Sequence, residues 1–425
     1  MATSGFNAGL DSSDVILSYG LEATYATVPG VQFQIVRILS EGFSEERSRI
    51  RPAEIKADGQ ASHALTTQVE ATGSIGFGVS YGTYDDLFRV LLNSLDWTSP
   101  TLVTDASNDI DAVDPSPGVE ASGNPGFTSA TADKFASLAV GDWIKTAGFL
   151  AANNGFWRVI SITGGGSAAI QVTGPGSFAI VDETPGSGVQ TLRNDGVLKN
   201  GVDVNTLTVQ KEMASNLFFF YTGAYATGGT LTAALGGFFE GSIDFIANNE
   251  DTATSSQSTG SELPAPTGRI IDVVTGIRQA GLADITFEDS NPDGHDTILQ
   301  SLDLTITKDA ARTQFGIGSS AARGIGRGTL GVEGTISVYF KNFSLYDLYT
   351  AETDSVLSFV AVDDNLDGYV ITLPAVTLMN PSIVAGGPDT DLVAEFTLEG
   401  NPGILPEETS PATSDYTIKI ERFTS

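Results

Sequence analysis

Two short loops carry the most suggestive side chains in the sequence. Asp289-Ser-Asn-Pro-Asp-Gly294 and Asp363-Asp-Asn-Leu-Asp-Gly368 both open like a calcium-binding loop. Such a loop closes on a bidentate Glu at its twelfth position. Here those positions hold Gln300 and Pro374 and the flanks have strand character, so an Asp-Gly hairpin turn is the simpler reading. Gly316-Ile-Gly318 followed by Ala321 echoes a dinucleotide-binding turn but lacks the strand–turn–helix surroundings that turn needs. His63 and His295 are the only imidazoles and there is no cysteine, which leaves little material for a catalytic triad or a zinc site. Carboxylate pairs are too common among 52 acidic residues to single out a glycosidase. The chain is therefore read as a non-enzyme without a cofactor or metal.

Five arginines, Arg47, Arg49, Arg51, Arg323 and Arg327, fall in what read as loops ahead of two alternating segments. In a chain of net charge −31 they are suited to ion pairs with an acidic neighbouring subunit, the alternative being ordinary solvated loops. The same acidity makes the chain a poor holder of nucleic acid, because phosphate binding needs clustered Lys and Arg. It suits a surface that repels DNA, or serves solubility alone.

These residues must be positioned by β structure. The 425 residues are 41% hydrophobic, with 48 Gly, and short Val-, Ile- and Thr-rich runs broken by Gly, Asn, Asp and Pro. No apolar run approaches the ~18 residues of a membrane span, so no membrane insertion is expected. Met1 to Leu10 shows no secretory signal, and the absence of cysteine fits assembly in a reducing cytoplasm.

An internal repeat organises the chain. In Gly73–Tyr81, Ile75, Phe77 and Val79 alternate with Ser74, Gly76 and Gly78; Ile336, Val338 and Phe340 alternate in the same phase, and 336 − 75 is 261. Alternation means a strand with one face in a core. Each strand leads into a helical stripe: Tyr84, Leu87, Phe88, Leu91, Leu92 and Leu95 in the first copy, and Leu345, Leu348 and Tyr349 in the second. Thr83 and Ser344 stand where N-caps belong, with Asp86 and Asp347 three residues on. Phe238–Asn249 and Leu392–Asn401 form a looser matching pair. The core is expected at Ile75, Phe77, Val79, Leu87, Phe88, Ile336, Val338, Phe340, Leu348 and Tyr349.

Between the copies, residues 101–187 read as an inserted small β-barrel. It opens on a polar loop, Asp105–Ser122, and has Trp143, Phe149 and Trp157 as its core. The expected organisation is a first module over 1–100 and 188–255, the insert over 101–187, and a second module over 256–425.

Arg47–Leu95 with its Tyr-Asp-Asp-Leu helix, Leu198-Lys-Asn-Gly201 with Leu207–Glu212, and Phe220–Ala224 resemble the major tail tube proteins of long-tailed bacteriophages. Val140–Ile144 and Asn154-Gly155 resemble the extra domain that some of those proteins carry. The resemblance implies a mainly β fold of β-sandwich modules with a flanking helix, and no enzymatic role. It implies rings that stack into the tube of a long non-contractile tail, assembled in the host cytoplasm and conducting genomic DNA. Most relatives supply one module per chain to six-membered rings, so two modules imply a homotrimer. The implied partners are further copies of the chain and the tail terminator, distal tail and tape-measure proteins, with DNA passing unbound. Lumen-facing positions are expected to be the small neutral ones of Gly73–Tyr81, with the acids in loops such as Asp105–Glu120. The alternative is a carbohydrate-binding or capsid-decorating β-rich surface protein.

Overall fold

The structure, a computed structural model, describes residues 9–424 apart from 106–108, 114–124, 165–167, 175–179, 185–188, 215, 275–276, 281–298, 386, 389–390 and 409–414. The Asp289–Gly294 loop and His295 lie outside the described residues.

The chain is mainly β, and its spine is an antiparallel run of eight strands: β1 (Ser44–Ile50), β2 (Leu65–Gly78), β3 (Leu217–Ala234), β4 (Glu240–Ala247), β5 (Leu299–Asp309), β6 (Thr329–Tyr339), β7 (Gly368–Val384) and β8 (Val393–Asn401). Hydrogen-bonded neighbours run β1-β2-β4-β3-β5-β6-β8-β7, so the first four strands and the last four share one order. Their registers coincide as well. Ser44 faces Thr72 and Thr305 faces Glu333, and both 305 − 44 and 333 − 72 equal 261. Ile75 likewise faces Ile243, while Ile336 faces Phe396.

The last strand of each ladder is long and irregular, with register shifts between Ala226 and Gly228 in β3 and between Met379 and Ser382 in β7. A bulge bends its strand and lets it serve two layers. The N-terminal half of β3 pairs with Leu207–Ala214 and Asn249–Ala253; that of β7 pairs with Ser355–Val362 and Lys419–Phe423. The main core fills the space between these layers and the eight-stranded sheet. Ile75, Phe77, Val79, Leu87, Phe88, Ile336 and Val338 are buried there, Leu348 nearly so, and Phe340 and Tyr349 are half-buried against it. Burying side chains of this size contributes about 1.5–3 kcal/mol each, before the entropy of ordering them.

Two helices, α1 (Asp85–Leu91) and α2 (Ser344–Ala351), pack on β3 and β7. Neither begins on the expected cap. The N-cap positions are Tyr84 and Phe343, without side-chain cap bonds, and Thr83 instead shares a buried 3.0 Å hydroxyl contact with Ser80. Asp85 and Asp86 in the first turn complement the positive helix end. Helix α1 stops before Asn93, whose φ of 50° is left-handed, so Leu95 leaves the stripe and is exposed.

The insert is a seven-stranded antiparallel sheet whose outermost strands in the pairing order are Thr101–Asp105 and Ile110–Val113. The second of these occupies part of the stretch expected to be loop, and the strand Gln190–Asn194 lies beyond residue 187. Phe149 and Trp157 belong to the insert's own core. Trp143 does not. It packs with Phe156 against Val360, Val362, Val370 and Phe423, because alternation along Trp143–Ala147 turns Ile144 inward and Trp143 toward the strands behind the second ladder.

Candidate assembly edges and an acidic sheet face

One face of the eight-stranded sheet covers the core and the other is open. The open face is built from the positions between the buried ones: mostly Ser, Thr and Gly, with Glu46, Glu70, Glu240, Asp244, Asp303, Glu333, Glu395 and Glu399. No Lys or Arg shares these positions until Arg49, beyond the irregularity at Ser48 where the sheet runs out into a hairpin arm. Glu46 stands directly opposite Glu70, and Glu333 opposite Glu399. Like charges facing each other across strands destabilise a sheet. Partial burial also holds the Asp244 carboxyl above its ordinary range. The acids are thus on the strands themselves. Asp105, placed in a loop by the sequence reading, is buried and accepts from the Ile110 amide at 3.2 Å and from Lys134 at 3.1 Å.

The sheet has two open edges. Among the described residues, no strand pairs with the outer edge of β1 or with the outer edge of β7 beyond Val376. The corresponding edge of β3 is occupied. There β5 runs antiparallel, Gly228 facing Thr307 and Ala234 facing Ser301, and fuses the two ladders into one sheet. Unpaired edges are templates for another chain.

A lysine pins this internal junction. Lys308 follows Leu302, Leu304 and Ile306 in phase, so it enters the core, where it is 4% exposed. Its ammonium donates to the Val90 carbonyl at 2.9 Å, at the end of α1, and to Asn93 Oδ1 at 2.8 Å, and lies 4.1 Å from the Tyr225 ring centroid. Burial pushes its pKa down to about 7 from 10.5. Between those values the unfolded chain binds more protons, so stability rises with pH through that window and the cost of the buried charge is greatest below about 7. Urea unfolding of wild type and Lys308→Met at pH 6.5, 8 and 9.5 should show wild type gaining on the variant as pH rises. A difference that stays flat across that range would count against a titrating Lys308.

The five arginines divide. Arg47 and Arg49 lie on strand β1, not in a loop: Ser-Glu-Glu-Arg-Ser-Arg-Ile has no apolar period because this edge strand runs out past the core. Arg49 and Arg51 donate to the Ala64 and Ser62 carbonyls at 3.1 and 3.4 Å and tie the two sides of the arm together. Arg323 and Arg327 flank a second, shorter hairpin, Arg312–Gln314 with Gly324–Gly326, in the equivalent place. Its Thr313 hydroxyl donates to Glu70 at 2.6 Å and its Ser320 carbonyl accepts from the Val69 amide at 2.9 Å, so the second arm rests against β2 of the first ladder. Arg327 donates to the Val202 carbonyl at 2.9 Å, within its own chain. Ile55 and Ile317, near the arm tips, are fully exposed. His63 sits on the first arm, and Gly316–Gly318 is the tip of the second, with no helix following.

Asp363–Gly368 is the hairpin turn between Ser355–Val362 and β7. The Asp363 carboxylate accepts from the amides of Asn365 and Asp367 at 2.8 and 3.0 Å. Lys145 of the insert donates to the Leu366 carbonyl at 2.7 Å and lies 3.5 Å from Asp367. Among the described residues no helix is long and apolar enough to cross a membrane.

Two matching ladders joined edge to edge, with a free edge at each end and an acidic open face, suit a subunit of a closed wall. The family model of the phage tail tube proteins matches residues 12–400. The chain belongs to that family. No curated protein matches it. It is accordingly a structural component of the virion tail, of a family that assembles into a tube with other tail components.

Proposed function

We propose that three copies close side by side into a ring and that stacked rings form the tube of a long non-contractile tail, through which genomic DNA reaches the host. The internal junction supports this reading best. The chain already performs the required contact once, β3 against β5, and presents the same two edges, β7 and β1, at its ends. Head-to-tail contacts of this kind generate rings when the rotation closes. Six ladders then come from three chains, in place of six single-ladder chains.

With the core on one side of the sheet, the acidic face lines the bore, where a polyanion slides without counterion-releasing contacts. The insert docks through Trp143 on strands behind the second ladder, away from that face, and so decorates the outside. The exposed arms reach along the axis toward the next ring. Other copies of the chain, the tail terminator, the distal tail protein and the tape-measure protein are the partners this assignment requires. Assembly takes place in the host cytoplasm.

Native mass spectrometry of purified rings, with class averages from negative-stain microscopy, tests the stoichiometry. A mass of three chains around a central hole is expected. Rings of six chains would sink the trimer, and persistent monomer at high concentration would sink the ring.

A further inference from the structure

The internal junction has a counterpart at the free edges, and the counterpart differs in charge. The register of β1 against β2 matches that of β5 against β6 at an offset of 261, which places Arg47 where Lys308 stands. At the other edge the same correspondence places Asp354 where Asn93 stands, just past a helix. Tyr225 in β3 and Thr377 in β7 also correspond, each facing the matching residue of the neighbouring strand (Ile246 in β4, Glu399 in β8). The side-chain bonds bear this out. Tyr225 donates to Asn93 Oδ1 at 3.0 Å, and Thr377 donates to Asp354 Oδ1 at 2.7 Å.

In the first ladder that site is covered by β5 and filled by the Lys308 ammonium. In the second it is open: Asp354 is exposed, Glu352 caps α2 beside it, and the last turn of α2 carries no basic residue. The C-terminal end of a helix favours a cation. Arg47 is the exposed cation of the opposite edge, its charge turned to its own Glu45 and its side chain 64% exposed.

We propose that Arg47 of one copy inserts at the C-terminal end of α2 in the next copy and pairs with Asp354, so that the contact between subunits repeats the Lys308 contact inside each chain. The inference rests on the side-by-side ring proposed above. Arginine suits the place better than lysine, since its planar fork can hold a carboxylate and a helix-end carbonyl together. Asp354 in place of Asn93 supplies the negative charge that makes the contact between chains specific to this edge.

Charge exchange tests it. Arg47→Glu and Asp354→Arg should each raise the concentration needed for half-maximal ring formation, read by sedimentation velocity, by about tenfold or more. The double variant Arg47→Glu/Asp354→Arg should bring it back to within about threefold of wild type, and Arg47→Lys should fall between. Both positions are exposed, so matching melting curves should confirm that all four variants fold. Singles that assemble like wild type, or a double no better than its parents while wild type forms rings, would overturn the pair alone. Wild type that never leaves the monomer would overturn the ring and this contact with it.

Discussion

Leu87→Asp is expected to abolish folding of the first ladder, seen as loss of the cooperative melt and recovery of the protein in the insoluble fraction. Leu87 is fully buried on the inner side of α1. Beside it in the same core, Phe77 stacks on Tyr84 at 4.2 Å and Phe88 meets both rings edge-on at 6.5 Å. The substitution removes about 2–3 kcal/mol of apolar burial and strands a carboxylate among aromatic rings. The combined cost, about 5 kcal/mol or more, is comparable with the whole stability of many domains. Leu348→Asp should cost less, because α2 lies nearer the rim and Leu348 keeps 8% of its surface, enough for the carboxylate to turn toward water. Calorimetry of both variants checks the order. A Leu87→Asp protein melting within about 2 °C of wild type would show that α1 does not pack as described.

If the open face lines the bore as proposed, reversing its charge should give tubes that retain DNA where wild-type tubes do not. Glu333, Glu395 and Glu399 lie on adjacent strands β6 and β8, all exposed and all on one face. Changing the three to Lys replaces a repelling patch by a cationic one in every subunit. Each phosphate then neutralised adds about 0.9 to the slope of log affinity against log salt. Wild-type tubes should leave a short labelled duplex free at about 0.15 M salt. Tubes of the triple variant should retain the duplex and release it steeply as salt rises. The same charge change at Asp14, Asp58 and Asp203, exposed residues outside the eight strands, serves as control. Equal retention by the control would mean that net charge, and not this face, governs the interaction.

Much of the fold was legible in the chain itself, because its signals are local. Alternation at Ile75–Val79 and Ile336–Val338 and the helical stripe at Leu87 and Phe88 arise within a few residues, and the offset of 261 exposed the repeat. The acidic face was not legible. Along Gly73–Tyr81 the outward residues are neutral; the acids come from strands such as Glu240–Ala247 and Val393–Asn401, brought alongside by pairings between residues 162 to 176 apart in the first case and 54 to 68 apart in the second. Lys308 did leave a trace, a lone cation in phase with three apolar residues, but what it binds depends on β5 lying beside β3 and at the end of α1. Trp143 looked like core and is core, yet of the seam with the second ladder, since alternation tells that a side chain turns away from its strand neighbours but not which layer lies on that side. Sequence alone determined the β class, the repeat and the buried stripes, because the period of a strand or helix is a property of consecutive residues. The tertiary structure decided the strand order, the sign of the open face and the two edges left without partners among the described residues, because each depends on which distant strand lies next to which.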